Sequence, residues 1–213
     1  EIAQCLVGSE MCIRDSSYIF DDFTKKQLDT FTRVAAELEA GLEYKVIKHI
    51  LNSAGIERFT DYQMDMVRLG IGLYGVSASG QKGLRNISTL KTTILQIQNV
   101  PAGDSIGYSR MSYVKRDSRI AIIPIGYADG LDRHFSNGGG EVVINGHRCP
   151  IIGNICMDAC MIDVTDTDAH EGDSVIIFGE ELPVSELSDK LKTIPYEILT
   201  SISPRVKRVY YRE

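Results

Sequence analysis

Apolar positions change their spacing once along the chain, and that change divides it. Between residues 21 and 40, Leu28, Phe31, Val34, Ala35 and Leu38 fall on one face at helical spacing. Thr24 with Gln27 has the pattern of a capping box, and Gly41 stands where a helix C-terminal cap belongs. Residues 44–51 predict a strand, Asn52-Ser53 a turn, the stretch to Phe59 a short helix, and 65–69 a second strand. Strand, turn, short helix and strand make the rhythm of a parallel α/β unit.

Residues 76–86 are rich in Ser, Gly and Lys and predict a linker. Beyond it, strand-like runs prevail. Strands are expected at 89–100, 119–125, 141–144, 148–152, 160–164, 174–178 and 205–211. Pro101-Ala102-Gly103-Asp104 is a turn by its chemistry, and Asn145-Gly146 is a tight-hairpin signal. Two short helices are expected at 183–191 and 196–201. The expected fold class is α/β followed by an all-β part, a small barrel or sandwich.

Composition narrows the function. A formal net charge of -6 gives no general case for nucleic acid or an anionic membrane. No apolar run approaches the roughly 18 residues of a membrane span, and the start lacks a signal-peptide pattern. The cysteines, Cys5, Cys12, Cys149, Cys156 and Cys160, are odd in number and irregular in spacing. They predict free thiols in a reducing compartment, hence a cytoplasmic protein. Cys156 and Cys160 lie four apart without a following zinc-spaced pair, so small buried hydrophobes are expected there and no metal.

One charge breaks the apolar pattern. Arg68 lies inside Met66-Val67-Arg68-Leu69-Gly70-Ile71-Gly72-Leu73-Tyr74-Gly75. A guanidinium keeps its proton and is costly to bury unpaired, so Arg68 needs a fixed acceptor or a ligand. Upstream, Asn52-Ser53-Ala54-Gly55 offers hydroxyl and amide donors. Three further motifs stand out: Ile106-Gly107-Tyr108-Ser109-Arg110, Ile125-Gly126-Tyr127-Ala128-Asp129-Gly130, and the run from Gly153 to Met161. Singly, each has an ordinary reading: a tyrosine in a core or interface, an Asp-Gly turn, a Cys-Met-Asp segment that packs.

Together and in this order, with His49 before Asn52-Ser53 and Ile202-Ser203-Pro204-Arg205-Val206 at the end, they resemble the alanine racemase family from about residue 21 onward. The resemblance implies a (β/α)8 barrel that carries pyridoxal 5′-phosphate and a C-terminal β-domain that completes the partner subunit's site in a homodimer. Residues 17–80 would supply the last strands and helices of the barrel, and 85–213 the β-domain. It implies that Ser53 and the amides of Gly70 and Ile71 hold the cofactor phosphate. Arg68 would donate to the pyridine nitrogen, with His49 behind it. Tyr108 would be the catalytic acid/base, acting in trans. The Met157 amide would meet the carboxylate of L- or D-alanine, and Tyr127 and Asp158 would line the substrate's approach.

Two departures matter. The family's final tyrosine falls at Pro204, and none of Lys25, Lys26, Lys45 or Lys48 occupies the motif of the lysine that anchors the cofactor. This chain alone is therefore expected to be inactive, as the C-terminal part of an enzyme that makes D-alanine for peptidoglycan. Residues 5–16 resemble translated sequencing-adapter read-through, so 1–16 are excluded from the fold reading and the natural chain is expected to begin near Ser17. The wording around Phe20–Thr24 and Ser53–Phe59 resembles the Bacteroidetes type, often fused behind a cell-wall ligase. Two other readings stay open: a non-catalytic β-domain serving as an interaction module, and a racemase or decarboxylase for another small amino acid.

Overall fold

Helix α1, Asp22–Gly41, forms where the apolar spacing predicts it, and its inward face buries Leu28 and Ala35. It begins at Asp22, so Thr24 is a buried residue of the first turn and not the cap. The computed structural model describes residues 22–42, 44–80 and 83–211, and the expected artefact at 1–16 lies outside them. The chain divides into two units, Glu1–Arg85 and Asn86–Glu213.

In the first unit, Leu28 packs with Ile50, Leu51 and Phe59, and Phe31, Ile56 and Val67 close around them. Helix α2, Ser53–Arg58, is capped by the Asn52 side chain, which accepts from the Gly55 amide at 3.0 Å. The two strands expected at 44–51 and 65–69 do not form. The two segments still run side by side in parallel: the Asp65 and Met66 amides donate to Lys48 O, and the Arg68 amide to Leu51 O. The Lys48 amide is taken by the Asp65 carboxylate at 3.0 Å, a side-chain bond in place of a backbone one at this end of the pair.

The second unit is a curled antiparallel sheet. Its strands are β1 (Leu90–Thr93), β2 (Gln96–Val100), β5 (Ser118–Ile123), β6 (Glu141–Ile144), β7 (His147–Ile152), β8 (Cys160–Asp163) and β9 (Ser174–Phe178). Their order is β1-β9-β6-β7-β8-β5-β2. The edge strands are consecutive in sequence. Between them, Ile94 exchanges bonds with Gly172 and Asp173 beside β9, while the Leu95 amide donates to Ile122 in β5. The strand expected at 89–100 is thus one bent strand, divided at Ile94-Leu95, that closes the sheet upon itself. Alternation fills the interior: Cys149 and Ile151 of β7 point inward while Arg148 and Pro150 point out. Asn145 (φ 49°) and Gly146 (φ 78°) both adopt left-handed conformations, as a two-residue hairpin turn requires.

The short pair β3 (Ser105–Ile106) and β4 (Ser112–Tyr113) forms a separate hairpin. Ile106 anchors it in a cluster with Val114 and Ile120. Helices α3 (Val184–Leu191) and α4 (Pro195–Ser201) follow the last strand. The strand expected at 205–211 does not form. The Arg205 and Val206 amides turn back to Ser203, and Val206 O accepts from the Arg208 guanidinium, so the start of this segment is engaged locally. No helix among the described residues is long and apolar enough to cross a membrane.

Candidate active site

In the first unit the parallel pairing of 48–51 with 65–68 sets Ser53 opposite Gly70. The Ser53 hydroxyl is buried and accepts from the Gly70 amide at 2.8 Å and the Gly72 amide at 3.3 Å. Both oxygen lone pairs are thereby used, and the Ser53 proton is left to donate elsewhere. A Cβ at Gly72 would stand 2.9 Å from a Leu69 methyl carbon, a contact the half-exposed leucine can relieve by moving. The Gly70 amide expected at the phosphate is thus engaged with Ser53 here, and Gly72, which the motif does not single out, shares the same acceptor. Ile71 is buried between them, in the tight turn Ile71–Tyr74. Arg68 is half-buried, and the Nδ1 of His49 is buried with no hydrogen-bond partner among the described residues. A buried polar atom left in that state is uncommon and marks a place where a further group would be satisfied.

In the second unit the loop 153–158 is the hub. The turn Tyr127–Asp129 rests on it, with the Tyr127 amide donating to Cys156 O and the Ala128 amide to Met157 O, both at 3.0 Å. Gly126 permits this approach, because a Cβ would lie 2.3 Å from Cys156 O. Asp129 is buried beneath the turn, takes the Gly126 amide at 2.9 Å, and pairs with Arg205 Nε at 2.7 Å. The same guanidinium meets the Asp158 carboxylate. The bond to Arg205 holds the Asp129 carboxyl below the usual carboxylate range against the opposing effect of burial, and the Gly126 amide helps.

This arrangement exposes three of the expected residues on one loop system. Tyr127 and Met157 show about half of their surface, and Asp158 is exposed beside Arg205. The Met157 amide has no hydrogen-bond partner among the described residues. Arg133 lies over the Tyr127 ring, 6.0 Å from its centre. Tyr108 stands in the loop between β3 and β4, with 72% of its surface exposed. Its carbonyl accepts from the Asn154 side-chain amide at 3.1 Å, which ties it to the 153–158 loop.

Asp129, Arg205, Asn154 and Gly72 are structurally central and carry no role in the sequence reading. Asp129 and Arg205 stand inside motifs already noticed, but a pairing across so many residues has no local signature. Among the described residues no cluster of His, Cys, Asp and Glu could hold a metal ion. Burial pushes the Cys149 thiol up to about 11 and the Cys160 thiol up to about 12, so both act as small hydrophobes.

Residues 87–210 match the family model of the alanine racemase C-terminal domain, and residues 8–78 that of the alanine racemase N-terminal domain. Alanine racemase 1 of Caldanaerobacter subterraneus subsp. tengcongensis is 42% identical over 199 residues, covering 89% of this chain and 51% of that protein. Alanine racemase of Clostridium tetani is 40% identical over 202 residues, covering 90% and 52%. Among solved structures, alanine racemase from Bartonella henselae with covalently bound pyridoxal phosphate superposes with a TM-score of 0.81 at 36% identity, covering 96% of this chain and 55% of that one. Alanine racemase of Clostridium difficile 630 in complex with cycloserine gives a TM-score of 0.83 at 38% identity, covering 90% and 52%. The chain spans about half the length of the relatives it matches. By this likeness its fold is the last part of a (β/α)8 barrel followed by a C-terminal β-domain.

Proposed function

The chain belongs to the alanine racemase family, and from that premise we propose that the full-length protein interconverts L- and D-alanine with pyridoxal 5′-phosphate. Residues 17–80 contribute to the cofactor barrel, and 85–213 form the β-domain. The observation that carries this reading is the convergence of the Gly70 and Gly72 amides on the Ser53 hydroxyl. It fits the cofactor's phosphate, because Ser53 keeps a proton to donate, and the Gly70 and Gly72 amides that hold its oxygen are donors an anion could share. The partnerless Nδ1 of His49 fits a group that engages this end of the unit.

Ser53 with the Gly70 and Ile71 amides would hold the phosphate, supported by Gly72. Arg68 would face the pyridine nitrogen, with His49 behind it. When bound, the cofactor supplies a sink for the electron pair released at the substrate Cα. A guanidinium keeps its proton at all working pH, so Arg68 would donate to the ring nitrogen without protonating it and would keep that sink weak.

Tyr108 exchanges a proton between its phenol oxygen and one face of Cα, in the site of the opposite subunit of a homodimer. A phenol has a reference pKa near ~10, so it needs nearby cations to act as a base at neutral pH. The Met157 amide, with no hydrogen-bond partner among the described residues, would take the substrate carboxylate. Tyr127 and Asp158 line the approach. The reaction runs in the cytoplasm, where Cys149, Cys156 and Cys160 stay as the free thiols found here, and it provides D-alanine for peptidoglycan. The 213-residue chain alone does not racemise, since no lysine in it occupies the anchoring motif.

The test compares two proteins in a chiral assay with added cofactor. The full-length protein should interconvert the alanine enantiomers and the 213-residue chain should not. A full-length protein that binds the cofactor and leaves both enantiomers untouched would overturn the proposal.

A further inference from the structure

The turn that carries Tyr108 is held in an unfavourable backbone conformation. Gly107 (φ 72°), Ser109 (φ 64°) and Arg110 (φ 49°) are all left-handed. For Ser109 and Arg110 this costs roughly 1 kcal/mol or more each, because Cβ crowds the following carbonyl oxygen. Such conformations persist only where the surroundings over-determine them. The Tyr108 side chain, largely exposed, does not supply that constraint.

The constraint comes from a directed line of hydrogen bonds. The Gly153 amide donates to Ser112 Oγ at 3.2 Å, so the Ser112 hydroxyl is an acceptor there and sends its own proton to Asn137 Oδ1. Asn137 Nδ2 then donates to Asn154 Oδ1 at 3.1 Å, and Asn154 Nδ2 donates to the Tyr108 carbonyl at 3.1 Å. The Tyr108 carbonyl can only accept, so the end of Asn154 that faces it must be its donor, and this fixes the direction of the whole line back to the Ser112 hydroxyl. Ser112 opens β4, at the base of the same hairpin, so the line grips the loop at its base and beside its tip. Glycine suits the first position of the turn, since the φ of 72° at Gly107 is one that a side chain resists.

We infer that Asn154, braced by Asn137 and Ser112, is the positioning residue for Tyr108 and holds the 107–110 turn in the one conformation that presents the phenol to the substrate. The inference rests on the proposed racemase reading for what Tyr108 does. Its structural half is independent of that reading. Asn154 also belongs to the loop that carries Met157, so one segment sets both the acid/base group and the amide offered to the substrate carboxylate.

The test uses the full-length protein with bound cofactor and two variants. Asn154→Ala removes the whole amide. Asn154→Asp keeps the acceptor for Asn137, removes only the donor, and serves if Asn154→Ala does not fold. Losing one hydrogen bond from a constrained loop should raise amide hydrogen exchange in 107–112 about tenfold, with β5 and β8 unchanged. The kcat should fall by about tenfold while KM for alanine moves little. The primary isotope effect from deuterium at Cα should rise in one direction of racemisation only, the one in which Tyr108 takes the proton. Unchanged exchange in 107–112 in the folded variants overturns the inference. So do isotope effects that rise equally in both directions, which would mean a general loosening of the site. A wild-type protein without racemase activity would sink the functional reading, while the exchange measurement would still decide whether Asn154 braces the turn.

Discussion

Arg205 Nε and the Asp129 carboxylate meet at 2.7 Å although 76 positions separate them in sequence. Asp129 is buried under the turn that carries Tyr127, and Arg205 holds Asp158 with its outer nitrogen. One guanidinium therefore fixes two loops, that of Tyr127 and that of Met157 and Asp158. Its planar fork can serve two carboxylates at once, which a lysine's single ammonium on a flexible stem does poorly.

Replacing Arg205 with alanine should accordingly disturb substrate binding more than chemistry. The expected outcome for Arg205→Ala is a KM for alanine raised by about tenfold with a smaller change in kcat, since it removes uniform binding. Arg205→Lys should recover only part of the loss. Steady-state kinetics in both directions would show it, and a KM equal to wild type would count against a shared anchor.

The same pair predicts how stability depends on pH. Asp129 titrates below the usual range when folded, chiefly because of its bond to Arg205. As acid is added, the unfolded chain takes up its proton first. The contribution is therefore complete above the unfolded carboxylate range near ~4 and is lost as pH falls through the lower folded value. Urea unfolding midpoints measured between about pH 6 and pH 3 should fall less steeply for Asp129→Asn than for wild type. Equal slopes would show that the pairing is not felt in solution.

Two glycine substitutions should differ sharply. At Gly126 a new Cβ would meet backbone, 2.3 Å from Cys156 O and 2.4 Å from Met157 O, and neither atom can rotate away. At Gly146 the space is open and only the left-handed φ of 78° resists. Gly146→Ala should cost about 1–2 kcal/mol and leave alanine binding intact. Gly126→Ala should force the two loops apart and abolish binding even where the protein still folds. Chemical denaturation together with a binding titration separates the two outcomes.

Thiol chemistry offers an independent check on the β-unit. Cys149 and Cys160 are buried with thiols pushed up to about 11 and about 12, while Cys156 is half-buried. A thiol-selective reagent at about pH 8 should modify Cys156 well before the other two, because only thiolate reacts. Peptide mass mapping would show the order, and early labelling of Cys160 would contradict the packing around β8.

Much of this structure could be read from the residues. The face of α1, the strand run through β9, the Asn145-Gly146 turn and the two late helices each depend on local spacing or turn chemistry, which a sequence displays. Where the expected strands are missing, side chains hold nearby backbone groups. The Asp65 carboxylate takes the Lys48 amide, and the Arg208 guanidinium donates to Ile202 O and Val206 O. The hairpin of β3 and β4 escaped notice because two-residue strands are too short to show a period. Ser53, Arg68 and Tyr108 stood out as polar groups in apolar or glycine-rich runs, whereas Asn154 and Arg205 act through partners that only the fold brings near.

The role of Tyr108 bears most directly on what this chain does. Full-length protein carrying Tyr108→Phe keeps the ring, loses the phenolic proton and leaves the Asn154 bond to the backbone carbonyl in place. It should bind the cofactor as wild type does and racemise alanine at least about 100-fold more slowly, the scale of a lost general acid/base. Wild-type turnover in the Tyr108→Phe enzyme, measured by chiral assay from both enantiomers, would contradict the account.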